Sequence, residues 1–171
     1  RDVAPSRGLG DVYKRQTFTS GIISSYEDAL AANLVLSSFI PMLMDTGGNS
    51  GSQSSTTIIR GLSLGEIRYI DVPRVIFKES AVAMLCGLTL ALANFAKLMV
   101  FDHVSLLIAA VVCFTLVVVV LVSNVVGGTL PILAKRLGFD PTVMASPLIT
   151  TIVDAVALVI YFNMAKALLH L

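Results

Sequence analysis

From Val104 to Val122 the chain runs for nineteen residues with only Ser105 and Thr115 polar. At ~1.5 Å per residue, about twenty helical residues cross the ~30 Å hydrocarbon core of a bilayer. A run of that length and purity marks an integral membrane protein. The composition agrees, with 56% of residues hydrophobic, 13% charged and a mean hydropathy of +0.86, whereas soluble domains are about one-quarter charged. A formal charge of +1 without a basic stripe excludes the electrostatic footprint of a nucleic-acid binder. Cys86 and Cys113 lie in separate apolar segments with no CxxC or Cys/His spacing. They read as small hydrophobes rather than a disulfide or zinc site.

The start of the chain breaks this pattern. Arg1 to Gln16 carries four of the twelve basic residues and no apolar periodicity. Within it, Asp11-Val12-Tyr13-Lys14-Arg15-Gln16 resembles a translated sequencing-adaptor end. Residues 1–16 are therefore read as a non-native leader, with a polar cytosolic linker as the alternative, and residues 17–171 as the membrane domain.

That domain contains four complete hydrophobic segments and part of a fifth. Thr17 to Ile23 reads as the tail of a severed helix, followed by the acidic link to Asp28. Ala29 to Met44 is apolar and continues through a Gly- and Ser-rich stretch to Arg60. It reaches spanning length only if that stretch also lies in the membrane. Val75 to Ala93 is the next span, and Val104 to Val122 runs on through Asn124 and Gly127-Gly128 to Pro131. Thr142 to Phe162 closes the set, with Asp140-Pro141 predicted to start its helix: a carboxylate at the N-cap and proline in the first turn. The expected fold is an all-α integral membrane bundle of five transmembrane helices, the first truncated.

Orientation follows from the basic residues. Arg60, Arg68, Arg74 and Lys78 crowd one loop, and Lys135 and Arg136 another two crossings later. Six of the eight Lys and Arg residues beyond Gln16 thus fall on one side, which the positive-inside rule makes cytoplasmic. The C-terminus is then expected outside. Glu27 and Asp28 lie at the outer mouth, where they concentrate cations or are simply solvated.

Polar groups inside the spans carry the functional signal. Asp154 sits twelve residues into the last predicted span, ~18 Å along a helix. A charge near mid-membrane costs ~3 kcal/mol even on the lenient insertion scale, so it should face protein or water. Ser146, Thr150 and Asp154 fall at i, i+4 and i+8, one stripe on one face, with Thr151 beside it. The alternative is a structural, hydrogen-bonded carboxyl. The second signal runs from Pro41 to Gln53. Its glycines Gly47, Gly48 and Gly51, with Asn49, weaken a helix and bring carbonyls within reach of a ligand. Gly47 and Gly51 also form a small-xxx-small pair, so pore lining and helix packing both remain open. Asp45 either relays cations or ends a helix at a turn. Asn124 reads as an interhelical hydrogen-bonding group, and Ala83, Gly87 and Ala91 as a packing face. Glu66, Asp71 and Glu79 either meet regulatory domains or pair with nearby arginines.

Carboxylate, carbonyl, amide and hydroxyl oxygens are hard ligands suited to Mg, Ca or Mn. Magnesium retains its waters and is usually held through one or two carboxylates. A two-fold axis would bring two copies of Asp154 to one axial site.

Pro41 through Gln53, continuing to Ile59-Arg60-Gly61-Leu62, resembles the signature of the MgtE family of magnesium transporters and channels. Gly138-Phe139-Asp140-Pro141, Ser146-Pro147 and Thr150 to Asp154 resemble that family's last transmembrane helix. The similarity covers Thr17 to Leu171. It implies five helices per subunit in the inner (plasma) membrane, a cytosolic N-terminus and an extracellular or periplasmic C-terminus. It further implies a homodimer whose second and fifth helices line a cation pore, with Mg2+ as transported ion and Co2+ or another divalent cation as further cargo. The family's central carboxylate maps onto Asp154 and its Gly/Asn segment onto Gly47, Gly48, Asn49 and Gly51. Ser146 and Thr150 fall at pore-lining positions where some members carry Asn and Ala. Members precede this domain with a cytosolic acidic domain and paired magnesium-sensing CBS domains, expected in the intact protein.

The resulting expectation is passive conduction of magnesium down its electrochemical gradient. A proton-coupled transporter with Asp154 as proton carrier is the alternative transport reading, and a non-transporting membrane scaffold the alternative outside transport. No Ser/His/Asp set, metalloprotease motif or phosphate loop supports an enzyme.

Overall fold

The computed structural model describes residues 16–26, 34–144 and 147–169. Residues 1–15, most of the expected leader, lie outside the described residues, as do Glu27 and Asp28. Helix α1 covers residues 16–24. A single helical turn, Leu34–Ser37, leads to α2, Ile40–Ser63; then come α3, Val72–Val100, α4, Leu106–Arg136, and α5, Pro147–Leu169. Short 3-10 turns at Tyr69–Asp71 and Pro141–Met144 precede α3 and α5. No strand occurs among the described residues.

Three helices are long and apolar enough to cross a membrane: Val72–Val100, Leu106–Arg136 and Leu148–Leu168. At 24 residues α2 has the length but is too polar to join them. It nevertheless runs unbroken through Gly47, Gly48 and Gly51, where sequence reasoning expected a weakened helix. Packing explains the difference. All three glycines are buried against neighbouring helices, and tertiary contact commonly overrides weak propensity. The hydroxyls also turn inward on their own helix: Thr56 donates to the Ser52 carbonyl at 2.8 Å and Thr57 to the Gln53 carbonyl at 3.0 Å.

Helix ends follow local chemistry. Gly65, at φ +73°, ends α2 with the Glu66 N–H donating to the Gly61 carbonyl at 2.9 Å. Gly138, at φ +82°, ends α4 in the same way, with the Phe139 N–H on the Ala134 carbonyl at 2.9 Å. In both, a left-handed residue lets the chain reverse and cover orphan carbonyls. Lys135 Nζ crosses from α4 to donate to the Leu62 carbonyl at 3.0 Å, a cation at the negative end of α2.

One expected start is corrected. Asp140 caps the 3-10 turn Pro141–Met144 through the Thr142 N–H at 2.9 Å, and α5 begins only at Pro147. The proline in the predicted first turn therefore belongs to the connection.

Helices α2, α4 and α5 pack against one another, and α3 lies outside them on α4. Their core joins Leu36, Leu43, Leu98, Val112, Leu116, Leu158 and Phe162. Fully buried Tyr161 anchors the turn before α2 by donating to the Leu36 carbonyl at 2.8 Å. A smaller cluster of Ile58, Leu62, Val75 and Ile132 closes the opposite end. Large apolar side chains such as Phe77, Leu85 and Leu92 stay exposed on α3, a surface suited to hydrocarbon.

Candidate functional site

Asp154 lies seven residues after Pro147, about 10 Å along α5. With α5 starting late, this is one turn short of the helix midpoint rather than the deeper position expected from a start at Thr142. The residue is 0% exposed. From α2, Gly48 lies against it: a Cβ there would fall 3.0 Å from Asp154 Oδ1 and 3.7 Å from Thr150 Cγ2. Gly48, Thr150 and Asp154 therefore meet where α2 crosses α5, and the missing side chain at Gly48 lets the carboxylate lie against the helix. Ser146 falls outside the described residues.

Gly47 and Gly51 face elsewhere. A Cβ on Gly47 would sit 2.9 Å from Val119 Cγ1 and 3.1 Å from Ser123 Oγ; one on Gly51 would sit 2.9 Å from Val153 Cγ2 and 3.1 Å from the Ser123 carbonyl. Both seat α2 against α4 and α5. Gly127 on α4 meets Gly51 directly, and a Cβ there would run into the Gly51 carbonyl. Asn124 strengthens the same crossing. Ser50 Oγ donates to its side-chain oxygen and Ser54 Oγ to its carbonyl at 2.9 Å.

The opposite face of α2 is open. Pro41, Asp45, Asn49, Gln53, Thr56 and Arg60 are exposed at steps of three and four residues, which places them on one stripe. Asn49, Ser52, Gln53 and Thr56 border an open cleft of about 470 Å³. Asp45 belongs to the second turn of a continuous helix, so its helix-terminating reading is set aside. The signature segment thus divides, its glycines and Ser50 inward and Asp45, Asn49 and Gln53 outward.

The sequence reading had Glu79 meeting regulatory domains or pairing with nearby arginines. It is 7% exposed, with its Cγ 3.1 Å from where a Cβ on Gly128 would stand. The available signal was spacing: Glu79 precedes Ala83, Gly87 and Ala91 by steps of four, and that whole face is buried. Ser50 and Ser54 were missed because a serine in a serine-rich stretch carries no positional mark. Among the described residues no three His, Cys, Asp or Glu side chains come together. Asp154 therefore stands beside Gly48 and Thr150 rather than in a cluster of acids.

The profile of the MgtE family, a divalent cation transporter, matches residues 40–164, from the first residue of α2 to beyond Asp154. The chain belongs to the MgtE family. It is 41% identical over 152 residues to the magnesium transporter MgtE of Thermus thermophilus, a match covering 89% of this chain and 33% of that protein. The Bacillus subtilis magnesium transporter MgtE is 34% identical over 152 residues, covering 89% of this chain and 34% of the relative. That of Enterococcus faecalis is 31% identical over 148 residues, 86% of this chain and 32% of the relative. The chain spans about a third of the length of these relatives. MgtE proteins are transporters rather than enzymes, and with three helices of spanning length and hydropathy this chain is a membrane protein.

Proposed function

We propose that this chain is the ion-conducting domain of a magnesium transporter, working as a homodimer with five helices per subunit in the plasma membrane. Magnesium passes down its electrochemical gradient along the polar stripe of α2 and is held between the Asp154 carboxylates of two protomers. The carrying observation is a fully buried carboxylate beside Gly48 in a helix of membrane-spanning hydropathy. Burial of a charge in such a helix is costly and marks a task. Paired carboxylates with retained waters suit magnesium, and one Asp154 per protomer requires the second copy. The exposed row of Asp45, Asn49, Gln53 and Thr56 supports the same reading, because no lipid-facing helix gains from such a row. Arg60, Arg74, Lys78 and Lys135 then mark the cytoplasmic side, with the C-terminus outside. Cobalt and other divalent cations are tested as competing cargo.

The test is magnesium flux into vesicles loaded with a fluorescent indicator. Asp154→Ala is expected to abolish flux while the protein still inserts and retains its helicity. Undiminished flux in that variant overturns the assignment. Flux through the unaltered chain should also persist without a proton gradient once membrane potential is clamped.

A further inference from the structure

Helix α3 has 29 residues, about 43 Å of helix against a ~30 Å hydrocarbon core. Between Glu79 and Lys97 it carries no charge, about 26 Å of length. Its first turns therefore stand at headgroup level. There the last turns of α2, the loop after it and α3 enclose a groove of about 810 Å³. Arg60, Arg74 and Lys78 line it together with Phe77, Val82 and Leu85, and all six are exposed. Arg74, Lys78, Val82 and Leu85 follow at i, i+4, i+8 and i+11, so one face of α3 changes from basic to apolar along its length.

The charges do not cancel. Asp71 is engaged by its own turn, accepting the Arg68 N–H at 2.8 Å with Arg68 Nε at 4.0 Å. Glu79 is buried against Gly128. Glu66 alone remains as an exposed acid in the lining. Among the described residues Arg60, Arg74 and Lys78 join no ion pair.

We propose that this groove binds one anionic phospholipid. Its phosphate is held by Arg60, Arg74 and Lys78, and an acyl chain lies along Phe77, Val82 and Leu85. A soluble anion would leave the apolar half uncovered, and a zwitterionic headgroup would leave the cations without net countercharge. The site is distinct from the α2–α5 crossing and does not rest on magnesium being the cargo.

Native mass spectrometry of the intact protein, given equimolar phosphatidylglycerol and phosphatidylcholine with the same acyl chains, tests the proposal. Phosphatidylglycerol should be retained preferentially. That preference should fall about fivefold for each basic residue neutralised near the membrane surface. Arg74→Gln/Lys78→Gln tests α3, and Arg60→Gln tests α2 in case the double variant fails to fold. Arg136→Gln, at the end of α4, should leave the preference intact. Equal retention of both lipids overturns the proposal, as does a preference unchanged in both groove variants. Displacement of phosphatidylglycerol by millimolar inorganic phosphate would make the groove a soluble-anion site and also overturn it. A second copy or another domain seated there would exclude both lipids alike, which overturns it equally.

Discussion

Gly48 and Gly51 are three residues apart on one helix, yet their missing side chains serve different neighbours. The atom that would crowd a methyl at Gly48 is Asp154 Oδ1, 3.0 Å from the Cβ position, the end of a side chain that can rotate. At Gly51 the obstacles are Val153 Cγ2 at 2.9 Å and the Ser123 carbonyl at 3.1 Å, and a backbone carbonyl cannot step aside. Gly48→Ala is therefore expected to cost less than about 1 kcal/mol of stability while lowering magnesium flux several-fold by displacing the carboxylate. Gly51→Ala should lose about 1–3 kcal/mol through overpacking. Thermal unfolding in detergent beside vesicle flux separates them; equal losses of stability would show that the carboxylate is not the part that yields. The glycines were visible in the sequence, but their division of labour was not. It depends on which residues of α4 and α5 lie against each hydrogen.

At the scale of elements, the connection into α5 is the part the sequence placed least well. The Asp140-Pro141 pair is a sound starting signal, and it does start a helix, but only the 3-10 turn to Met144. The Thr142 backbone N–H, and then its hydroxyl, hold the Asp140 carboxyl below the ordinary carboxylate range. A depressed carboxylate stabilises the fold while ionised. Its contribution is complete above the ordinary range and is lost as pH falls through the lowered value. Hydrogen-exchange protection of the Thr142 amide should accordingly hold from neutral pH down to the usual carboxylate range and decline only below it. Asp140→Ala should lack that protection throughout. Protection lost already near neutrality would count against the cap. For α2 the miss had the opposite sign: glycine content argued for a weak helix, whereas contacts with Val119, Ser123 and Val153 hold it whole.

At the scale of the whole molecule, α2 sits in a membrane protein with one face closed by α4 and α5 and the other, from Asp45 to Thr56, polar and uncovered. Such a face belongs against water or another polar surface, while the apolar face of α3 belongs against lipid. Cys86 is exposed and Cys113 buried, so Cys86→Ala supplies a quiet background for labelling. Asn49→Cys and Thr56→Cys should then react with a water-soluble thiol reagent in membranes, whereas Leu92→Cys on α3 should not. Labelling of Leu92→Cys alone would place water on the wrong side of the bundle.

The sequence by itself determined the solvent, the helical class and one of the two buried carboxylates among the described residues, Asp154, while Glu79 went unrecognised. Apolar runs of bilayer length leave the backbone no other way to satisfy its hydrogen bonds, and an acid within such a run is conspicuous in a chain with so few charges. Tertiary structure alone decided which glycine meets Asp154, which side of α2 stays open, and where α3 and α2 leave a basic groove. Those outcomes depend on contacts between residues tens of positions apart, such as Gly48 with Asp154 and Gly51 with Gly127. Spacing along one helix defines a face, and only the neighbouring helices decide what that face meets.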